Sequence, residues 1–266
     1  MARVAARPTD PVVSIGVDVA SQPAGTAGCW VRWDGAGATI ESVEHELDDR
    51  RLAAILAEPV AKIGLDVPLG WPDAFVEAIG DHHAGRPFGD MPSARLARRQ
   101  TDQWVRENIH QMPLSVSTDR IAYPAMRVAR LVGKVLPEGI DRTGTGKLVE
   151  VYPAAALRVW GLPHRGYKGT ANRAVLLVIA QQLRGRCPWL LAEDRTWGEV
   201  TRTDHAFDAL ICALAARANQ RRLCQPIPPH LLAAAAREGW IAVPIPESLD
   251  RLIDVAGRTR GPADVG

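Results

Sequence analysis

Two short apolar segments of the sequence end in the same acidic residue. SIGVD covers residues 14–18 and KIGLD covers residues 62–66, so the segments end at Asp18 and Asp66. Continuous apolar runs of this length are typical of strands that are buried on both faces. A carboxylate at the end of a buried strand loses hydration, which costs several kcal/mol unless a partner compensates. The fold must therefore bring both aspartates to a site that offsets this loss.

The remaining segments predict a mixed α/β protein. Strands are expected at 11–20, 27–35, 38–47, 61–70 and 147–152, with a hairpin turn at 35–37. Helices are expected at 48–58, 72–82, 93–109, 122–136, 153–161, 172–185 and 203–220, and a last helix and a short covering strand within 231–246. Asp48 or Asp49 is the expected cap of the first helix, and Gly185 is expected to close the sixth. Three consecutive strands followed by alternating helices and strands favour a five-stranded mixed sheet flanked by helices.

The domain organisation follows from this pattern and from the length of 266 residues. Residues 1–10 are polar and are expected to form a flexible tail. Residues 11–245 are expected to form one domain, with an insertion of helices and loops at about 81–145, between the fourth and fifth strands. Residues 246–266 are expected to form a C-terminal tail.

Composition bounds the compartment and the partners. The net charge of +2 shows no strong basic field, which weakens the case for a nucleic-acid partner without excluding it. The first ten residues lack the apolar stretch of a signal peptide, and no apolar run is long enough to span a membrane. The four cysteines show no paired metal-binding spacing. We therefore expect a cytoplasmic protein with free thiols and no membrane partner, and the sequence carries no signal for its oligomeric state.

A third acidic element is the helix predicted from TDHAFDALICALAAR. Asp204 and Asp208 are four residues apart, and His205 and Asp208 are three apart, so these side chains share one face of the helix. Thr203 or Asp204 can serve as the N-cap. Asp208 has no capping role, and aspartate is a poor helix former in a helix interior. Glu150, in LVEVYP, is a fourth candidate near the end of a strand.

These acids suggest a metal site. The carboxyl ends of strands in open α/β sheets face the ligand crevice, so neighbouring strands would bring Asp18 and Asp66 together. Like charges at close range oppose joint ionisation, and a divalent cation removes that conflict. Carboxylate oxygens suit Mg²⁺ or Mn²⁺. Each acid also has a structural alternative, as a turn former, a helix cap or the partner of an arginine.

The chain resembles the bacterial and archaeal family called domain of unknown function 429, described as predicted nucleases of the ribonuclease H-like fold. The resemblance covers about Val12 to Pro244 and is carried by GVDVA, IGLDVPLGWP, RQTDQWVRE, VEVYPAAALRVWG, DHAFDALICALAA and EGWIAVP. It implies three antiparallel strands, a helix, a fourth strand, a helix, a fifth strand and a final acidic helix. It also implies Asp18, Asp66 and Asp208 as metal ligands. Similarity to the related Holliday-junction resolvases implies His205 and Asp208 as the paired positions of the last helix.

The resulting hypothesis is phosphodiester hydrolysis with two Mg²⁺ or Mn²⁺ ions. Asp18 would contact both ions, Asp66 one and Asp208 the other, while Asp204 or His205 would orient a ligand or shuttle a proton. Glu150 is a further candidate for the catalytic set. The residues expected to contact the phosphate backbone of a nucleic acid, or else to form solvated helix faces, are Arg95, Arg98, Arg99, Arg106, Arg127, Arg130 and Lys134. The aromatic residues Trp104 and Tyr123 are candidates for stacking on bases.

Two other classes of function are open. Phosphotransferases and ATPases of the same superfamily also begin with a strand that ends in aspartate, and RTGTGK at 142–147 is similar to a phosphate-binding loop. This loop lacks the Walker spacing, and Leu148 follows its lysine where that motif has Ser or Thr. The other alternative is a catalytically inactive module that binds nucleic acid or protein. Metal-dependent cleavage of nucleic acid would indicate the nuclease, and turnover of ATP without cleavage would indicate the phosphotransferase or ATPase. Failure to bind Mn²⁺ would indicate the inactive binding module.

Overall fold

The computed structural model describes residues 12–253, which form a mixed sheet covered by helices. The predicted N-terminal tail and residues 254–266 of the predicted C-terminal tail lie outside the described residues. The strands of the described part are β1 Val12–Asp18, β2 Ala27–Trp33, β3 Ala38–His45, β4 Lys62–Asp66, β5 Leu148–Glu150 and β6 Leu190–Leu191. The helices are α1 Asp49–Ala57, α2 Asp73–His83, α3 Ser93–Ala97, α4 Gln100–Ile109, α5 Asp119–Val135, α6 Pro153–Val159, α7 Arg173–Arg186, α8 Asp194–Val200, α9 Asp204–Gln220 and α10 Leu232–Glu238.

The sheet has the strand order β5-β4-β1-β2-β3-β6. Strands β1, β2 and β3 are antiparallel neighbours, whereas β4 runs parallel to β1, β5 to β4, and β6 to β3. The mixed α/β class predicted from the sequence is confirmed, but the strand count of five is wrong for residues 12–253. The sixth strand was missed because it pairs over only Leu190 and Leu191, which is too short to show a period of two.

Each face of the sheet packs against its own group of helices. On one face, Leu52, Ile55 and Leu56 of α1 and Val128 and Leu131 of α5 belong to a buried cluster with β1 and β4. On the other face, α9 is the central element, and every residue from Ala206 to Ala218 is buried. A surface helix buries only one stripe of side chains, whereas α9 is buried around its whole circumference. The helices α6, α7 and α8 contribute to that cover and so make α9 an internal element of the fold.

Two glycines allow α9 to approach the sheet at backbone distance. Gly16 of β1 and Gly64 of β4 are paired positions in the parallel ladder. A Cβ atom at Gly16 would lie 2.0 Å from the carbonyl oxygen of Ala209, and one at Gly64 would lie 2.4 Å from that of Cys212. Any larger residue would therefore push the helix away from the strands.

We expect Gly16→Ala to destabilise the protein by about 3 kcal/mol or more, because the new methyl group meets helix backbone that cannot move alone. Urea denaturation measures the change. Gly133→Ala is the matched control, since Gly133 lies in α5 and a Cβ atom added there would meet no neighbouring group within 4 Å. That control is expected to be neutral or to stabilise α5 by up to ~1 kcal/mol through helix propensity. Equal effects of the two substitutions would contradict the close approach.

The segment between β4 and β5 is helical, as expected, but it is divided differently. The single helix predicted over 93–109 is wrong, because α3 ends at Ala97 and α4 begins at Gln100. Arg98 between them has extended backbone (φ −128°, ψ 129°), and Arg99 is the N-cap residue of α4. The break turns the Arg99 side chain into the interior, where it is 1% exposed.

Three smaller differences lie towards the C-terminus. Gly185 does not close α7, which continues to Arg186. The predicted covering strand is present only as isolated bridges, Glu150 with Ile241 and Cys224 with Pro244. Beyond residue 245, where the sequence placed the start of a tail, a 3-10 helix covers Pro246–Arg251, and Leu249 and Leu252 are buried in the main core.

Within residues 12–253, no helix combines the length and the apolar character needed to cross a membrane.

Candidate metal centre

Three aspartates meet at the carboxyl ends of β1 and β4. Asp18 and Asp66 are paired positions in the parallel ladder of these strands, and Asp208 lies in the second turn of α9. One carboxylate oxygen from each residue lies within 4.8 Å of the corresponding oxygens of the other two. Asp18 and Asp208 are buried, whereas the Asp66 side chain is 22% exposed. The convergence predicted from the sequence is therefore present, and the centre opens to solvent on the Asp66 side.

The period of two along a strand explains why both strands present aspartate to α9. Asp18 follows Gly16 by two residues and Asp66 follows Gly64 by two, so each aspartate lies on the same face as its glycine. Because α9 packs directly on those glycines, its N-terminal turns pass beside the strand ends. Asp208 immediately precedes Ala209, whose carbonyl oxygen makes the closest approach to Gly16. The same packing thus positions all three acids.

The electrostatics of the centre suit a divalent cation. Burial raises the pKa of Asp66 well above its usual range, and the nearby charges of Asp18 and Asp208 raise it further. Burial also raises the pKa of Asp208. The Lys168 ammonium opposes both shifts without cancelling them, so the protein's own groups do not fully compensate the burial of these carboxylates. Carboxylate oxygens in such an arrangement are the ligands that Mg²⁺ and Mn²⁺ prefer, so the residues present fit these ions.

His205 forms a hydrogen bond with Asp18, the first of the three acids in the chain. Its Nδ1 lies 2.8 Å from Oδ2 of Asp18, and this hydrogen bond raises the pKa of His205 above its ordinary value of 6.5. His205 and Asp208 therefore both face the centre, as their spacing predicted. Asp204 is not one of the three converging acids. The N-cap of α9 is Thr203, whose Oγ1 accepts from the Ala206 N–H at 3.1 Å, and Asp48 has the same role for α1.

The His205–Asp18 pair predicts a pH dependence in the metal-free protein. Because the folded pKa is raised, the pair stabilises the fold fully below the unfolded pKa of about 6.5, and this contribution is lost as the pH rises through the folded value. Asp18→Asn removes the charge, so the pKa of His205 is expected to fall towards or below its ordinary value. Titration of the imidazole by NMR measures the shift. An unchanged pKa in Asp18→Asn would contradict the pairing.

Tyr167 and Lys168 complete the centre and were missed by the sequence analysis. The Tyr167 hydroxyl donates to Oδ1 of Asp208 at 2.7 Å. The Lys168 ammonium lies 2.7 Å from Oδ2 of Asp208 and 4.0 Å from Oδ2 of Asp66. Burial alone would lower the pKa of Lys168, but the carboxylates of Asp208, Asp66 and Asp18 raise it well above its usual range, so the side chain stays charged.

One signal in the sequence pointed to this pair. Lys168 is one of only four lysines in a chain whose basic residues are mostly arginine, and it lies in the short motif GYKG. Both flanking glycines, Gly166 and Gly169, have positive φ angles of 73° and 87°. Such angles favour glycine, so the motif forms a turn that presents Tyr167 and Lys168 together.

Glu150 and Arg99 form an ion pair, which was the structural alternative to a catalytic role for Glu150. The Glu150 carboxylate accepts from Nη2 and Nη1 of Arg99 at 2.7 and 2.8 Å, and Arg99 also pairs with Asp102 at 2.9 Å. All three side chains are buried. The Arg99 guanidinium is therefore committed to two buried carboxylates, and Glu150 is not one of the converging acids. The ion pair links the start of α4 to β5.

The other candidate phosphate contacts fall into two groups. Arg127 is buried, and its guanidinium bonds Asp49 at 2.6 Å and the carbonyl oxygen of Ala20 at 2.9 Å, so it positions the loop after β1. The remaining residues of the set are exposed or partly exposed: Arg95, Arg98, Arg106, Arg130 and Lys134. Arg95 and Arg98 line a separate cavity that none of the three aspartates lines. Trp104 packs against Trp240 with ring centroids 5.4 Å apart, whereas Tyr123 is exposed.

The RTGTGK loop lies at the opposite end of β4 from the aspartates. Lys62, at the start of β4, donates to the carbonyl oxygen of Gly144 at 2.8 Å, and Asp141 accepts from the Thr143 and Gly146 N–H groups. Asp66 is at the other end of the same strand, ~13 Å away along its axis. The cavity of about 810 Å³ beside this loop is therefore separate from the aspartates. This position argues against a phosphate-binding role for the loop at the aspartate centre.

The fold and the site together define a class of protein, a mixed α/β domain with a buried cluster of three aspartates that fits a divalent cation. A family model described as "Protein of unknown function (DUF429)" matches residues 16–231. The chain belongs to this family, as its motifs predicted. The match includes the three aspartates, His205, Tyr167 and Lys168. Neither a curated protein nor a solved structure is significantly similar to the chain.

Proposed function

We propose that this protein is a nuclease that hydrolyses phosphodiester bonds with Mg²⁺ or Mn²⁺ held by Asp18, Asp66 and Asp208. The observation that carries the proposal is the convergence of three carboxylate oxygens within 4.8 Å at a solvent-accessible edge of the sheet. Bound cations, two in the form we favour, would activate a water and stabilise the leaving oxygen. The fold we propose is a ribonuclease H-like one with a sixth strand added beside β3. Three antiparallel strands, two parallel strands and a final acidic helix support it.

The side chains around the aspartates have distinct tasks in this proposal. His205 orients the Asp18 carboxylate, and the Tyr167 hydroxyl orients that of Asp208. Both are positioning residues, because they act through a ligand. Lys168 is 54% exposed, so its ammonium can reach an oxygen of a bound phosphate while it remains beside Asp208. A phosphate is expected to enter from the Asp66 side, where the centre is open.

One observation favours a second candidate, a binding module without catalysis. The Lys168 ammonium already neutralises part of the acidic cluster, at 2.7 Å from Asp208 and 4.0 Å from Asp66. A protein in which this lysine replaces the cation would keep the fold and bind no metal. Mn²⁺ titration separates the two candidates, because a ligand that binds only the folded state raises the melting temperature.

The test of the nuclease proposal is cleavage by the purified protein in Mg²⁺ or Mn²⁺. Single-stranded, duplex, hybrid and branched nucleic acids are offered in parallel, with a matched reaction in excess chelator. We expect metal-dependent cleavage of at least one substrate and a melting temperature that rises with Mn²⁺. Absence of both responses would reject the proposal and favour the binding module. Turnover of ATP without cleavage of nucleic acid would instead favour the phosphotransferase alternative.

Lys168→Met is expected to separate metal binding from hydrolysis. Removal of one positive charge beside the aspartates is expected to raise Mn²⁺ affinity by about tenfold, equivalent to ~1.4 kcal/mol. The same change is expected to lower hydrolysis by about 10–100-fold, because the phosphate loses a charged donor. Calorimetric titration and initial rates measure the two effects. Lys134→Met, at an exposed position of α5, is the control for the metal titration and is expected to leave Mn²⁺ affinity unchanged. Weaker Mn²⁺ binding by Lys168→Met would contradict this role.

A further inference from the structure

A small cavity adjoins the aspartates on their open side. It has a volume of about 120 Å³, and Asp66 and Lys168 form part of its wall. Ligand pockets in proteins usually measure ~300–1,000 Å³, so this cavity is sized for one group of a larger molecule. Its position beside Asp66 and Lys168 places that group next to a phosphate bound at the aspartates.

The buried ion pair of Arg99 and Glu150 also lines the cavity, and the remainder of the wall is apolar. It includes Val67 and Pro68, which directly follow Asp66, and Pro113, Leu114, Ile121 and Tyr152. The Tyr152 hydroxyl accepts from the Gln111 amide at 3.2 Å and donates to the carbonyl oxygen of Met112 at 3.3 Å, so its ring is held in place. Leu114 is 51% exposed and lines the rim of the cavity. An apolar wall next to three carboxylates does not fit the phosphate itself, which needs polar partners.

We propose that this cavity receives the base of an unpaired nucleotide whose phosphate lies at the aspartate centre. Flat bases stack on aromatic and apolar side chains and do so with little regard to sequence. A base that is stacked and paired inside a duplex cannot enter a cavity in the protein, so it must first leave the helix. The preferred substrate is therefore single-stranded or frayed nucleic acid. This inference rests on the proposed function, because it takes the phosphate to bind at Asp18, Asp66 and Asp208.

The first test compares two small ligands that differ only in the base. Binding of a nucleoside monophosphate and of ribose 5-phosphate is measured in Mn²⁺ by calorimetry. We expect the nucleotide to bind about tenfold more tightly, since the stacking of one base contributes an effect of this size. Equal affinity for the two ligands would overturn the inference.

The second test changes the wall of the cavity. Leu114→Asp is expected to abolish the preference for the nucleotide, because a hydrated carboxylate replaces the apolar surface on which the base would stack. The matched control is Leu177→Asp on α7, where the leucine is 45% exposed and does not line this cavity. Both variants are expected to fold, since both leucines are largely at the surface, and saturating Mn²⁺ keeps the metal site equally occupied in all the proteins compared. A base preference that survives in Leu114→Asp would overturn the inference.

The substrate panel separates the failure of this inference from the failure of the proposed function. Metal-dependent cleavage with equal rates on single strands and blunt duplexes would leave the nuclease proposal standing and reject the base-binding cavity. A base preference without any cleavage would reject the nuclease proposal and leave the cavity as a nucleotide-binding site. Cleavage of single strands at least about tenfold faster than duplexes is the result expected if both hold.

Discussion

Asp18→Asn is expected to lower Mn²⁺ affinity and metal-dependent hydrolysis by more than about 100-fold. Loss of a residue that only positions a metal ligand typically reduces affinity or activity by 10–100-fold, so loss of a ligand should exceed that range. Asp18 is also the acid that His205 holds at 2.8 Å, and Asn removes the charge while keeping the shape. Calorimetric titration with Mn²⁺ and cleavage rates under saturating metal measure the two losses separately.

The control for this substitution is an acid in the first turn of α9 that does not take part in the centre. Asp204 is the first residue of α9 and is not one of the converging acids. Asp204→Asn is therefore expected to retain hydrolysis within about threefold and to change stability by less than ~1 kcal/mol, since Thr203 provides the cap. Asp18→Asn itself should not unfold the protein, because it removes one of three like charges that repel each other. Cleavage that survives Asp18→Asn would reject the mechanism.

Arg99→Met is expected to destabilise the protein by about 3–5 kcal/mol. The substitution leaves Glu150 and Asp102 buried without their shared cation, and an uncompensated buried charge carries a penalty of this size. Glu150 keeps only the N–H of Leu69, at 3.1 Å, among the partners described for it besides Arg99. Urea denaturation measures the change. Burial raises the pKa of Glu150, and the loss should be larger above that pKa than below it, because protonation removes this buried charge.

Two further variants test whether the unpaired buried carboxylates cause the loss of stability in Arg99→Met. Arg106→Met changes an exposed arginine of the same helix and is expected to alter stability by less than ~0.5 kcal/mol. The triple variant Arg99→Met, Asp102→Asn, Glu150→Gln removes the charges together and is expected to recover part of the loss. Weak destabilisation by Arg99→Met, combined with a marked loss of nucleic-acid affinity, would show that Arg99 contacts substrate after all.

Much of the aspartate centre could be predicted from sequence because its members occupy positions with a regular period. Asp18 and Asp66 each end an apolar strand, and His205 and Asp208 are three residues apart on one helix. These local patterns specify the element, the face and the end at which each side chain lies. Three consecutive strands followed by alternating helices and strands likewise predicted the mixed sheet, with only the two-residue β6 missed.

Local sequence patterns could not show which of the arginines are buried in ion pairs and which are exposed. Arg95, Arg99, Arg106, Arg127 and Arg130 look alike in sequence, yet Arg99 and Arg127 are buried in ion pairs and the others are exposed. The partner of Arg99 in β5 is Glu150, 51 residues along the chain. A contact between segments so far apart depends on how helices pack onto the sheet, and no local period encodes it.

Local sequence patterns predict that Asp18 and Asp66 end apolar strands and that His205 and Asp208 share one helix face, since strand and helix periods are local properties of the chain. That the three aspartates meet depends on tertiary packing, because it requires α9 to lie against Gly16 and Gly64 at backbone distance. Tertiary packing also brings Lys168, from a turn between two glycines, beside Asp208. Charge of one sign at a buried point attracts charge of the other sign from wherever the folded chain can supply it.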